Sequence, residues 1–88
     1  MDNKTDFELQ LKTKATQGYP VMVEVKSSNV KAMGYNPDWN IAVVKFNNNG
    51  EYAYFDVIPE DFETLLNSES KGKQIRVFAS KYRGIKIR

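Results

Sequence analysis

Apolar and polar residues alternate over Phe7, Leu9 and Leu11 with Glu8, Gln10 and Lys12 between and after them. They alternate again where Val21, Val23 and Val25 interleave with Met22, Glu24 and Lys26. A period of two marks a half-buried strand, so both segments predict strands. Gly18 and Pro20 make Thr13 to Pro20 the loop between them. Asn29 to Tyr35 predicts a weaker strand, because Val30 and Met33 are an odd step apart. Gly34-Tyr35-Asn36-Pro37-Asp38 follows as a turn, on the strength of its Asn-Pro-Asp core.

The strongest local pattern runs from Ile41 to Val57. Two β-rich segments, Ile41–Phe46 and Glu51–Val57, flank Asn47-Asn48-Asn49-Gly50. Asn-Gly tolerates the positive φ angles of a type I′ turn, which predicts a hairpin. A two-residue Asn49-Gly50 turn sets Asn48 opposite Glu51, Phe46 opposite Ala53 and Val44 opposite Phe55. One face then collects Ala42, Val44, Phe46, Ala53, Phe55 and Val57, all apolar, and the other collects Val43, Lys45, Tyr52, Tyr54 and Asp56. A four-residue loop keeps these faces. A three-residue loop with a glycine bulge exchanges them and buries the tyrosines. The uniformly apolar face favours the first register.

Beyond the hairpin the period lengthens. Pro59, Glu60 and Asp61 suit a helix start, the proline by its fixed φ and the acids by the helix dipole. Phe62, Leu65 and Leu66 at i, i+3 and i+4 give that helix, Pro59–Ser68, one apolar face. Ile75, Phe78, Ala79 and Tyr82 fit i, i+3, i+4 and i+7 and predict a second helix. A strand with the β-branched Ile75 and Val77 inward is its rival. Gly84 ends the element, and Ile85 to Arg88 predicts a short terminal strand. The fold class expected is α+β: a small antiparallel sheet with a central β-hairpin, packed against one or two short C-terminal helices.

Composition narrows the chemistry. The chain of 88 residues contains neither cysteine nor histidine. It therefore lacks the thiolate nucleophile, the usual near-neutral general base and the commonest zinc ligand. A domain of this size has little interior in which to shift the pKa of a carboxylate or lysine. A non-catalytic protein without cofactor or metal is expected. Glu60, Asp61, Glu63 and Glu69 crowd a helix start for the dipole's sake and lack the spacing of an oxygen-ligand loop. Ser27-Ser28 has no base nearby in sequence and reads as a strand-end hydrogen-bonding pair. Ser70-Lys71-Gly72-Lys73 shares a glycine and lysines with phosphate loops but not their spacing. Met1 to Asp6 lacks a signal peptide's apolar run, and the longest apolar stretch, Ile41–Val44, cannot span a bilayer. A soluble, cytoplasmic protein is expected.

Charge is distributed unevenly. Lys71, Lys73, Arg76, Lys81, Arg83, Lys86 and Arg88 lie in the last eighteen residues with no acid among them. The first seventy residues hold six basic and eleven acidic side chains, so the net charge of +2 is −5 followed by +7. A basic end on an acidic body attracts polyanions more strongly than its net charge implies.

From Val25 onward the chain resembles the KTSC domain, a module named for its place at the C-terminus of some lysyl-tRNA synthetases. The resemblance rests on an ordered set of short pieces. They are Val25-Lys26-Ser27-Ser28-Asn29-Val30, Gly34-Tyr35, the strand ending in Phe46, Gly50, and Tyr52-Ala53-Tyr54. Val57-Ile58-Pro59, Leu65-Leu66, Ser70-Lys71-Gly72-Lys73 and Tyr82 complete it. The resemblance implies a small sheet with helices on one side, stand-alone copies in bacteria and phages, and RNA binding suggested by attachment to a synthetase. It divides the single domain into a β extension over 1–24 and a family part over 25–88.

Two candidate surfaces follow. On the favoured register, Tyr52 and Tyr54 stand with Lys45 on one face, and aromatic rings beside a cation can stack single-stranded bases. In a helix, Lys73, Arg76 and Arg83 avoid the Ile75–Phe78–Tyr82 stripe, so with Lys81 and Lys86 they are available to phosphates. Binding of RNA or single-stranded nucleic acid is the function expected. The alternative is a protein-interaction module of the phage-encoded kind, docking an acidic host protein through anchors such as Trp39 and Tyr35.

Overall fold

Asn3 to Gln17 contains neither glycine nor proline, and in the computed structural model, which describes residues 3–88, it is one α-helix, α1. The strand expected over Phe7–Leu11 does not form, and residues 1–2 of the expected β extension over 1–24 lie outside the described residues. Alternation over five residues is a short signal, and the helix overrides it with a different period. Leu11 and Ala15, four apart, face the sheet, whereas Phe7 and Leu9 are 43% and 62% exposed. Asp6 in the first turn and Lys14 in the last complement the dipole. Gly18 then stops the helix where a side chain would collide with the Trp39 ring and Ile41.

Five strands follow: β1 (Val23–Glu24), β2 (Val30–Asn36), β3 (Ile41–Phe46), β4 (Glu51–Tyr54) and, after two helices, β5 (Gly84–Lys86). They form one antiparallel sheet in the order β1-β2-β3-β4-β5. Between β4 and β5 lie α2 (Pro59–Asn67) and α3 (Lys71–Lys81). The fold is the expected α+β sheet with a central hairpin, and residues 73–81 are helical rather than extended. Of the strand expected over Val21–Lys26, only Val23–Glu24 pairs regularly with β2.

The hairpin takes the less favoured of the two registers. Val44 lies opposite Tyr52, Val43 opposite Ala53 and Lys45 opposite Glu51. Phe46 N–H donates to Gly50 O at 2.9 Å and Asn49 N–H to Phe46 O at 2.9 Å, enclosing a three-residue loop. Asn49 adopts φ 70°, and Gly50 has a negative φ. The left-handed residue is thus the asparagine, and the odd loop length exchanges the two faces.

The exchange is tolerated because both faces are covered. Val30, Met33, Ala42, Val44 and Tyr54 pack with Val57 under Phe62, Leu65 and Phe78 of α2 and α3. On the other side Ile41, Val43, Ala53 and Phe55 pack with Ala15 of α1, flanked by Leu11, Tyr19, Ile85 and Ile87. No helix of the described residues is long and apolar enough to cross a membrane.

Candidate functional site

The β1–β2 loop and the β3–β4 loop meet at one end of the sheet and are tied together. Asn47 Nδ2 donates to Ser28 O at 2.8 Å and to Ser27 O at 3.3 Å, and Asn47 N–H donates to Asn29 O at 3.0 Å. The Ser27 hydroxyl accepts from Asn29 N–H at 3.2 Å and Val30 N–H at 3.3 Å, so this serine closes a turn as expected of a strand-end residue. Facing the two loops is the first turn of α3. Its cap residue Ser70 makes no side-chain capping bond, and the first intrahelical bond runs from Gln74 N–H to Ser70 O at 3.0 Å. The amides of Lys71, Gly72 and Lys73 precede that bond, so the helix supplies them no acceptor.

Between these parts lies an open cleft of about 810 Å³, lined among others by Ser27, Ser28, Asn29, Phe46, Lys73 and Arg76. Gly72 lets the helix approach closely, since a Cβ there would meet Asn29 Nδ2 at 2.5 Å. Lys71 is half-buried and donates to Ser68 O at 2.9 Å, supporting the end of α2. Lys73 and Arg76 are exposed and have no carboxylate partner within ion-pair distance among the described residues. Glu69 also lines the cleft and lowers its positive potential. The arrangement presents cations, helix amides, hydroxyls and side-chain amides around a space large enough for a phosphodiester and a base.

Of the eight residues singled out in the sequence, this cleft unites Lys73 and Arg76. The aromatic pair is not available as a stacking platform. Tyr54 is 5% exposed and packs edge-to-face on Phe78 with ring centres 5.1 Å apart, and burial raises its pKa. Tyr52 is half-buried edge-on to Phe46 at 5.8 Å. Lys45 lies opposite Glu51 on the α1 side of the sheet, not opposite Tyr54. The exchanged hairpin register causes all three differences.

The remaining basic residues are dispersed. Lys81 Nζ sits 2.6 Å from Asp61 Oδ2, which also accepts a hydrogen bond from the Tyr82 hydroxyl. Lys81 and then Tyr82 hold the Asp61 carboxyl below its ordinary range. The Arg83 guanidinium lies 4.5 Å from the centre of the Phe7 ring. Lys86 lines a separate groove with Glu8 and Lys12 of α1. Tyr35 stacks on Phe62 at 5.2 Å and donates to Val57 O at 2.5 Å, and Trp39, 39% exposed, lies against Gly18.

Sequence reasoning missed Phe46, Asn29, Asn47 and Lys71 as cleft residues. Asn29 and Lys71 belong to two separate pieces, Ser27-Ser28-Asn29 and Ser70-Lys71-Gly72-Lys73, and Phe46 and Asn47 lie in neither. Only the fold brings the pieces together across more than forty positions.

Comparison with known proteins gives the family. A protein of Tsukamurella paurometabola is 40% identical over 52 residues, covering 59% of this chain and 78% of the relative. A protein of Stutzerimonas stutzeri is 35% identical over 51 residues, covering 58% and 72% respectively. The crystal structure of a KTSC domain protein from Yersinia pestis superposes with a TM-score of 0.73 at 28% identity, covering 77% of this chain and 97% of that one. The KTSC domain model matches residues 26–81, a span that contains every residue lining the cleft and omits α1, β1 and β5. The chain belongs to the KTSC domain family.

Proposed function

We propose that this protein is a non-catalytic, cytoplasmic module that binds RNA or single-stranded nucleic acid in the cleft between the two loops and α3. The observation that carries the reading is the convergence of Lys71, Lys73 and Arg76 with the start of a helix and the Ser27–Asn29 loop around one open space. Phosphate is the anion such a set of donors fits, because helix amides and basic side chains favour negative charge in the same place. Phe46, half-buried at the cleft wall, replaces the tyrosines as the ring on which a base would stack. Lys73 and Arg76 contact phosphates; Lys81, Arg83 and Lys86 contribute at most to the long-range field.

Fluorescence anisotropy with a labelled mixed-sequence RNA and the matching single-stranded DNA, from about 50 to about 300 mM salt, tests this reading. Micromolar binding that weakens with salt is expected. The Lys73→Ala/Arg76→Ala double variant should bind at least tenfold more weakly, with a log–log salt slope shallower by about 1.4. The Arg83→Ala variant should bind nearly as well as the parent. Absence of binding at the lowest salt, or a salt slope unchanged in the double variant, would refute the proposal.

A further inference from the structure

The sheet has two open edges, and they differ in chemistry. β5 exposes Lys86, and the following Arg88 is also exposed, with no acid in the segment. A lysine on an edge strand discourages pairing with another copy. The β1 segment instead carries opposite charges, Glu24 and, two residues on, Lys26. Val21 is 87% exposed and Val23 55% exposed, beyond the reach of α2 and α3. Val23 pairs with Met33, Glu24 with Ala32, and Val25 N–H donates to Lys31 O at 3.1 Å. In an antiparallel ladder the backbone groups of alternate residues point to opposite sides, so those of Met22, Glu24 and Lys26 point away from β2.

We infer that β1 is a self-association edge, at which a second copy of this chain pairs antiparallel about a two-fold axis through Val25. Only registers that set even-numbered residues against even-numbered residues let the outward groups bond. Of these, the one centred on Glu24 opposes two glutamates and is disfavoured. The one centred on Val25 sets Glu24 against Lys26 of the second copy, twice, with Val25 against Val25. Glu24 and Lys26 are both exposed and, two residues apart, share one face of the sheet. Val23 lies diagonally beside the opposing Val25, which removes exposed apolar surface from water. The contact is isologous, so it closes as a dimer and does not propagate. Its ladder is short, well below the roughly 800 Å² per partner of a standard interface. A dissociation constant on the order of 0.1 mM is expected.

Sedimentation equilibrium of the full chain, from about 10 µM to about 1 mM, is the first measurement. The parent should be dimeric at the upper end. Glu24→Lys and Lys26→Glu should each weaken the dimer at least tenfold, and the double exchange Glu24→Lys/Lys26→Glu should restore it to within about threefold. The single variants move the net charge from +2 to +4 and to 0 respectively, each exchange being worth two charges. A general charge effect would therefore shift them in opposite directions, whereas edge pairing weakens both. Because both side chains are exposed, circular dichroism should show an unchanged fold. A monomer at the highest concentration overturns the inference. So does a dimer that the single exchanges leave intact, or one that the double exchange fails to restore.

Discussion

Gly84 and Gly72 show how one substitution gives opposite results in two settings. A Cβ on Gly84 would lie 2.5 and 2.7 Å from ring atoms of Tyr54, which is 5% exposed and wedged against Phe78. The ring cannot retreat, so Gly84→Ala should destabilise the fold by about 2 kcal/mol in urea unfolding. At Gly72 the obstructing atom is the end of the exposed Asn29 side chain, which can swing aside. Gly72→Ala should therefore leave stability unchanged or slightly raised, through the better helix propensity of alanine. Glu51 is 2% exposed and accepts from the Tyr19 hydroxyl and from Arg88 Nη1 at 3.3 Å. Burial first, and then the Glu51 hydrogen bond, push the Tyr19 pKa from 10.0 up to about 12. The fold thus favours the neutral hydroxyl. Its contribution is complete below pH 10 and is lost as the pH rises through 12. Thermal unfolding across that range should show the parent losing more stability than Tyr19→Phe; equal slopes would contradict it. Neither feature was legible in the sequence. Tyr19 and Arg88 stand 32 and 37 positions from Glu51, and no local pattern announces such partners.

The elements were legible to different degrees, for physical reasons. α2 begins at Pro59 and presents Phe62 and Leu65 inward, as proline, acids and spacing required. α3 is helical despite Ile75 and Val77, because Phe78 and Ile75 on one face find the core while Val77 stays 57% exposed. The hairpin's existence followed from Asn-Gly, but its register did not. Asn-Gly serves both a two-residue turn and the end of a three-residue loop, and either choice gives one acceptable apolar face. Asn49, not Gly50, carries the positive φ. Asn49→Gly relieves a left-handed conformation at a residue with a side chain, and should stabilise the hairpin by about 0.5–1 kcal/mol. The Asn49 Oδ1 contact to Lys31 Nζ at 3.4 Å is too long and exposed to offset that gain. A raised midpoint of urea unfolding with an unchanged m-value would bear this out, and a lowered midpoint would refute it. The candidate site was half legible for a different reason: Lys73 and Arg76 stood out by charge, whereas Asn29 and Phe46 reach the cleft only because the fold sets the β1–β2 and β3–β4 loops against the start of α3.

At the scale of the whole molecule, the uninterrupted apolar run Ile41–Val44 carries information that an alternating strand does not. All four residues have no exposed surface, which requires cover on both faces of the sheet. The family span, residues 26–81, supplies α2 and α3 for one face only. α1 supplies cover for the other through Leu11 and Ala15, with Lys14 lying 5.8 Å from the Phe55 ring centre. The helix outside the family span is thus part of the fold's second core and lies on the side of the sheet away from the cleft. Its docking and nucleic-acid binding should consequently separate. Ala15 has no exposed surface, so Ala15→Asp places a carboxylate among Ile41, Val43, Ala53 and Phe55. An uncompensated buried charge of this kind costs about 3 kcal/mol, which for a domain of this size lowers the melting temperature by about 15 °C. At a temperature where the variant remains folded, its RNA affinity should match the parent's within about twofold, because no α1 residue lines the cleft. Hydrogen exchange should show faster exchange in α1 and β5, with α2 and α3 still protected. An unchanged melting temperature would mean that α1 does not stabilise the sheet. A loss of RNA binding in the still-folded variant would mean that the two faces act as one unit.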